Sequence, residues 1–235
     1  MSKPDSIKLT YFSDLLCIWA YVSQIRVDEL RANFGARVEF EYRFIPVFGA
    51  VAHRIEKGWT ARGGREGYAA HVQETAQRFP HVEVHPRLWL DDAPASSAGV
   101  HLFLKAVQKL IDEGTIPAQA EASAAGRNTF EELMWRLRLA FFRDARNIAR
   151  REVQFELAAA LGLPLEPIRV ALDDGTAMAG LCRDLDLCKE LSIGGSPTYV
   201  LNEGRQKLYG NVGYKVIAAN VQEILQRPED QASWC

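Results

Sequence analysis

The chain has 235 residues, 48% of them hydrophobic, enough to bury a sizeable core as one large domain or two small ones. Its net charge is −2 and its basic residues are dispersed among acids, which argues against nucleic acid or an anionic membrane as a partner. No uninterrupted apolar run approaches the ~20 residues of a spanning helix, residues 1–6 are polar and unlike a secretory leader, and four cysteines are too few for a disulfide scaffold, so a cytoplasmic location with reduced thiols is expected.

In chain order, residues 7–13 read as a strand in which Ile7, Leu9 and Tyr11 alternate. Residues 17–33 read as one helix, with Ile18, Tyr21, Val22, Ile25 and Leu30 near helical spacing and Asn33-Phe34-Gly35 as its stop. Residues 38–45 alternate strictly and end at Pro46, as a half-buried strand does. The first 47 residues therefore form a β-α-β unit, for which a right-handed crossover and a parallel pair are expected.

The middle of the chain reads as mostly helical. Residues 58–65 are Gly- and Arg-rich and suit a loop; residues 66–79 have helical composition and stop at Pro80; residues 81–94 are irregular. Ser96 or Ser97 is placed to cap a helix running to Glu113 and ended by Gly114. Ala118 to Ala125 is a short Ala-rich tract. Asn128 or Thr129 is placed to cap a long amphipathic helix, and Thr129-Phe130-Glu131-Glu132 offers a capping box. Phe130, Leu133, Met134, Leu137, Phe141 and Phe142 give that helix one apolar face, a core stripe rather than a ligand site. Helices are also expected over 151–161 and 176–191, then a strand over 198–201, a turn at Asn202-Glu203-Gly204, a return strand over 206–210 and a helix over 216–225 stopped near Pro228.

Two segments carry chemistry. Ser13-Asp14-Leu15-Leu16-Cys17-Ile18-Trp19-Ala20-Tyr21 follows the first strand and sets a thiol at a helix start. Gly194-Gly195-Ser196-Pro197-Thr198-Tyr199-Val200 enters a strand through a proline. Together with the weaker Ala140–Ile148 and Gly210-Asn211-Val212-Gly213 stretches, these motifs resemble the DsbA-like branch of the thioredoxin superfamily. In layout the resemblance covers nearly the whole chain.

The resemblance implies an α/β thioredoxin fold, its β-α-β and α-β-β-α halves in one sheet, formed by residues 1–48 and 192–235. An all-helical domain over 49–191 would be inserted between them. It further implies a cis Ser196–Pro197 peptide beside the thiol, with the Ser196 backbone free to pair with a peptide or glutathione backbone. Cys17 would be the nucleophile; Ser13, Trp19, Tyr21, Ser196, Pro197 and Thr198 would bind substrate, and Asp14 would buttress the site. Glutathione is the implied co-substrate, no cofactor or metal is implied, and a homodimer is compatible with the resemblance. One departure matters. Redox members of the branch have Cys-Pro-X-Cys where this chain has Cys17-Ile18-Trp19-Ala20, while the similar kappa-class glutathione transferases and hydroxychromene-carboxylate isomerases have a serine at the first position and use glutathione.

A thiolate is the reactive form of cysteine, and free N–H groups with a helix dipole favour an anion, so a depressed pKa is expected at Cys17. The alternative is an inert, buried cysteine. A mixed disulfide at Cys17 would not be resolved by Ala20, so a small thiol would have to do it. That leaves three functional readings: a monothiol thiol–disulfide oxidoreductase, a glutathione-dependent isomerase or transferase on a small aromatic electrophile, and a non-catalytic binding module. Cys182 and Cys188 lie six apart on one helix, point in different directions and read as core; Cys235 sits on a tail that could carry it to Cys17. His81 and His85 are the only close histidine pair, with no cysteine beside them, so no metal site is expected; Gly63-Gly64 lacks the strand a phosphate loop requires, and no Gly-X-Ser-X-Gly occurs.

Overall fold

A computed structural model describes residues 6–118 and 126–226. The Ala-rich tract beyond Ala118, Pro228 and Cys235 lie outside the described residues. Strand β1 (Ile7–Ser13) runs parallel to β2 (Val38–Phe44), with Ile7 opposite Val38 and Ser13 opposite Phe44. Strand β3 (Thr198–Leu201) is antiparallel to β1 and β4 (Gln206–Tyr209) is antiparallel to β3, giving the sheet order β2-β1-β3-β4. Strands from both ends of the chain thus share one sheet, with β1 central and buried, as the thioredoxin-like arrangement requires.

Between β1 and β2 the chain makes two helices rather than one, α1 (Ile18–Val22) and α2 (Gln24–Phe34). The break falls at buried Ser23, whose hydroxyl accepts from the Arg26 side chain. Gly35, with a positive φ of 54°, closes α2. After β2 the chain winds through a π-helix at Ala52–Lys57 that the sequence does not announce, because it contains one buried apolar residue, Ile55, and no repeat. It then makes a short turn and α3 (Gly64–Gln77), which starts inside the expected loop. Residues 81–94 form turns, and α4 (Ala98–Asp112) follows, closed near Gly114.

Helix α5 (Thr129–Phe142) carries its capping box one residue earlier than Thr129 would place it. Asn128 accepts from the Glu131 N–H at 2.9 Å, and Glu131 accepts from the Asn128 N–H at 3.0 Å, while Thr129 donates to the Pro117 carbonyl. Helices α6 (Arg151–Ala159), α7 (Leu165–Asp173) and α8 (Thr176–Glu190) then pack in succession. The sequence reading misses α7, because Pro164 and Pro167 disguise it. Pro164 precedes the helix and Pro167 sits in its first turn, where a missing N–H costs no intrahelical bond. After the β3–β4 hairpin, whose turn residues Asn202, Glu203 and Gly204 all have positive φ, helix α9 (Tyr214–Gln226) packs against α2 and β1. One continuous apolar core joins β1, α1, α4 and α5, so the end of β1 and the start of α1 lie where sheet and helices meet. Among the described residues no helix is long and apolar enough to cross a membrane.

Candidate active site

The turn between β1 and α1 is pinned by one carboxylate. Asp14 is fully buried; it accepts from the Leu16 and Phe48 N–H groups, each at 2.8 Å, and from the Ser97 hydroxyl at 2.7 Å. A buried charge is tolerable only when hydrogen-bonded in this way. Leu15 donates its N–H to Nε2 of buried His101 on α4 at 3.2 Å, so that nitrogen is unprotonated and the neutral ring carries its proton on Nδ1. Burial holds His101 below the usual imidazole pKa, against the opposing pull of Asp14. The helical region thus reaches across and fixes the backbone that leads into Cys17.

On the other side stands the Gly194-Gly195-Ser196-Pro197 turn, and its Ser196–Pro197 peptide is cis, as the resemblance implies. Cys17 donates its thiol to the Ser196 carbonyl oxygen at 3.3 Å, and the Ser196 hydroxyl accepts from the Asp14 N–H at 2.9 Å. Thr198 donates its hydroxyl to the Gly195 carbonyl at 2.8 Å, bracing the turn from behind. A Cβ at Gly195 would meet the ring of the exposed Tyr209, which would have to swing aside.

Cys17 opens onto a cleft of about 210 Å³ walled by Trp19, Phe48, Trp59, Tyr68 and the Gly194–Ser196 backbone. Its pKa departs from expectation. Cys17 is only 6% exposed, and desolvation raises its pKa, with a smaller push from Asp14. The Ser196 side chain and the N–H groups of Ala20 and Trp19 pull downward and lose. Burial outweighs what the start of α1, a helix of only five residues, can offer an anion. The resting form is a protonated thiol, not a standing thiolate.

Of the residues singled out from sequence, the fold brings Cys17, Trp19 and Ser196 to the cleft, with Pro197 and Thr198 directly behind. Ser13 and Tyr21 do not line it. Ser13 is buried and accepts from Arg138 at 3.4 Å; Tyr21 stacks on Phe142 and Trp135 and donates to the Glu83 carbonyl at 3.2 Å, because its helical position turns it into the core. The cleft also receives Arg54, Trp59, Tyr68 and His71, which sequence reasoning missed. A cluster of tryptophan, histidine and arginine between residues 53 and 71 was the one available signal.

Among the described residues no second sulfur stands by Cys17. Ala20 is fully buried, Cys182 is exposed on α8, and Cys188 packs with Phe12, Ile193 and Val200 in a separate apolar cluster, not in the main core. His81 is engaged with the Val22 carbonyl at 3.0 Å, and among the described residues no group of three His, Cys, Asp or Glu is placed to hold a metal ion.

The family described as DSBA-like thioredoxin domain matches residues 8–222 of the chain. Among solved structures, a putative protein disulfide isomerase from Nitrosomonas europaea aligns with a TM-score of 0.71 at 13% identity, over 95% of this chain and 99% of that one. A probable DsbA oxidoreductase from Streptomyces coelicolor aligns with a TM-score of 0.69 at 18% identity, over 97% and 93%. The cytosolic disulfide reductase DsbM from Pseudomonas aeruginosa, also solved with GSH, aligns with a TM-score of 0.61 at 22% identity, over 94% and 96%. At these identities the likeness is one of fold. No curated protein matches the chain.

Proposed function

This chain belongs to the DSBA-like thioredoxin domain family, and on that footing we propose that it is a monothiol thiol–disulfide oxidoreductase that works with glutathione. The observation that carries the reading is a cleft-lining Cys17 hydrogen-bonded to the Ser196 carbonyl, with the methyl group of Ala20 where a resolving sulfur would stand.

The thiol of Cys17 gives its proton to solvent, and the thiolate attacks one sulfur of a substrate disulfide. The substrate S–S bond breaks, its electron pair leaves on the departing thiolate, and that thiolate takes up a proton. When Cys17 stops donating to Ser196, the Ser196 carbonyl is freed to accept an N–H from the substrate backbone, in the manner of a short added strand. Glutathione thiolate then attacks the substrate sulfur of the mixed disulfide; the bond to Cys17 breaks, its electron pair returns to the Cys17 sulfur, which takes up a proton, and a substrate–glutathione disulfide leaves. Asp14 and His101 hold the turn through which the sulfur is aimed. We place the reaction in the cytoplasm, where glutathione is abundant and keeps thiols reduced. Residues 49–191 are the proposed helical insertion that walls the cleft.

The test is turnover. Glutathione-dependent reduction of hydroxyethyl disulfide is expected from the intact protein and is expected to vanish in Cys17→Ser; equal activity in both would overturn the reading. A second reading, a glutathione-dependent isomerase or transferase, is favoured by the aromatic wall of Trp19, Trp59 and Tyr68. It predicts that Cys17→Ser, with its hydroxyl, keeps activity on an aromatic electrophile.

A further inference from the structure

Three arginines each lie over an aromatic ring that lines the cleft, and one of them, Arg54, lines the cleft itself. The Arg54 guanidinium, carried by the π-helix, lies 4.9 Å from the Phe48 ring centroid; Arg62 lies 5.2 Å from that of Trp59, and Arg78 lies 5.7 Å from that of Trp19. All three are exposed. None of them makes an ion pair among the described residues; Arg78 reaches only the Thr75 hydroxyl, at 3.5 Å. The nearby Glu56 is taken by Arg65. Asp14 is buried and spent on its three donors.

The cleft wall itself contains no carboxylate. Its one other titratable base, His71, is pushed down by burial and by Arg78 and Arg62, with Glu74 on the same helix opposing, so it adds little charge at neutral pH. The chain carries a net charge of −2, yet Arg54 lines this cleft and two further cations, Arg62 and Arg78, sit on the wall rings Trp59 and Trp19. Stacking fixes each guanidinium plane and leaves its edge donors open, the geometry that suits a carboxylate.

We propose that Arg54, Arg62 and Arg78 form a specificity rim that selects disulfides and thiols carrying carboxylates near the sulfur. The inference rests on Cys17 being the exchanging thiol. The rim acts on encounter and on orientation of the leaving half, so its effect should be sensitive to salt.

Two aromatic disulfides separate charge from reactivity: 5,5′-dithiobis(2-nitrobenzoate), which bears a carboxylate on each ring, and neutral 4,4′-dithiodipyridine. In each, the Cys17 thiolate attacks one sulfur, the reagent S–S bond breaks, and one aromatic thiolate leaves with the electron pair as Cys17 becomes a mixed disulfide. The ratio of the two rate constants, with the Cys17→Ser rate subtracted, should fall about 10-fold in Arg54→Gln/Arg62→Gln/Arg78→Gln. A ratio within twofold of the parent, at low and at high salt, overturns the rim. A second measurement does not need exchange. In Cys17→Ser, quenching of tryptophan fluorescence should show 4-(methylthio)benzoate binding about 10-fold tighter than its methyl ester, a preference abolished by the triple substitution. Preference in binding with no Cys17-dependent exchange would sink the oxidoreductase reading and leave the rim standing. Exchange without any carboxylate preference would do the reverse.

Discussion

The Cys17 thiol and the Ser196 carbonyl meet at 3.3 Å across a sequence separation of 179 residues. The contact joins the start of α1 to the turn before β3, and it requires a proton on sulfur. A thiolate there would face the carbonyl lone pairs. Burial favours the same protonated form and outweighs the hydrogen bonds from Ser196, Ala20 and Trp19 that would favour a thiolate.

That state predicts the pH dependence of alkylation. Burial raises the Cys17 pKa, so the midpoint for iodoacetamide labelling, followed on the Cys17 peptide, should lie above the free-thiol value of about 8.5. The linked effect on stability has a defined sign. A thiol whose pKa is raised by folding contributes stability below about pH 8.5, and that contribution is lost as pH rises toward the folded value. A labelling midpoint below 8.5 would show that the helix start outweighs desolvation.

His101 supplies the acid side. Its pKa is lowered by burial, so the unfolded chain takes up a proton that the folded chain resists. Stability is then present above about pH 6.5 and falls as pH drops below it. The urea midpoint should decline between pH 7.5 and 5.5, and decline less in His101→Gln, whose amide oxygen can still accept the Leu15 N–H. Equal declines would remove His101 from the account.

Asp14→Ala strips the acceptor from two buried N–H groups and one buried hydroxyl. At ~1–3 kcal/mol for each donor left unsatisfied, the loss in unfolding free energy should be at least about 3 kcal/mol. A loss below about 1 kcal/mol, read from chemical denaturation, would show that water replaces the carboxylate.

Ala20→Cys restores a sulfur three residues after Cys17 in the first helical turn. The variant should oxidise internally, losing two hydrogens in mass and blocking alkylation of Cys17. Because Ala20 is fully buried, the added sulfur should cost about 1–3 kcal/mol through overpacking. If both thiols stayed free under oxidant, the local geometry drawn for α1 would be wrong.

Much of the fold was written in local pattern. Alternation marked β1 and β2, and the Gly194–Val200 segment marked the entry to β3, so the sheet and the thiol turn could be read from short windows. What could not be read came from packing. Arg54, Trp59, Tyr68 and His71 reach the cleft only because α3 folds back onto α1 and the π-helix packs on α3. The capping box slid by one residue because Asn128 and Thr129 can both cap and only the Pro117 carbonyl decides between them. Tyr21 has the right spacing to flank the thiol, yet the face of α1 that it occupies is covered by α5. The direction of the Cys17 pKa was missed for the same reason: a helix terminus is visible in sequence, whereas the desolvation that overrides it depends on the whole surrounding core.

The most direct measurement is intact mass after incubation with oxidised glutathione. One glutathione should add to the protein, map to Cys17, leave on treatment with reduced glutathione, and be absent from Cys17→Ser. A protein that stays unmodified, or that takes its adduct only at the exposed Cys182, would contradict the assignment of Cys17 as the exchanging thiol.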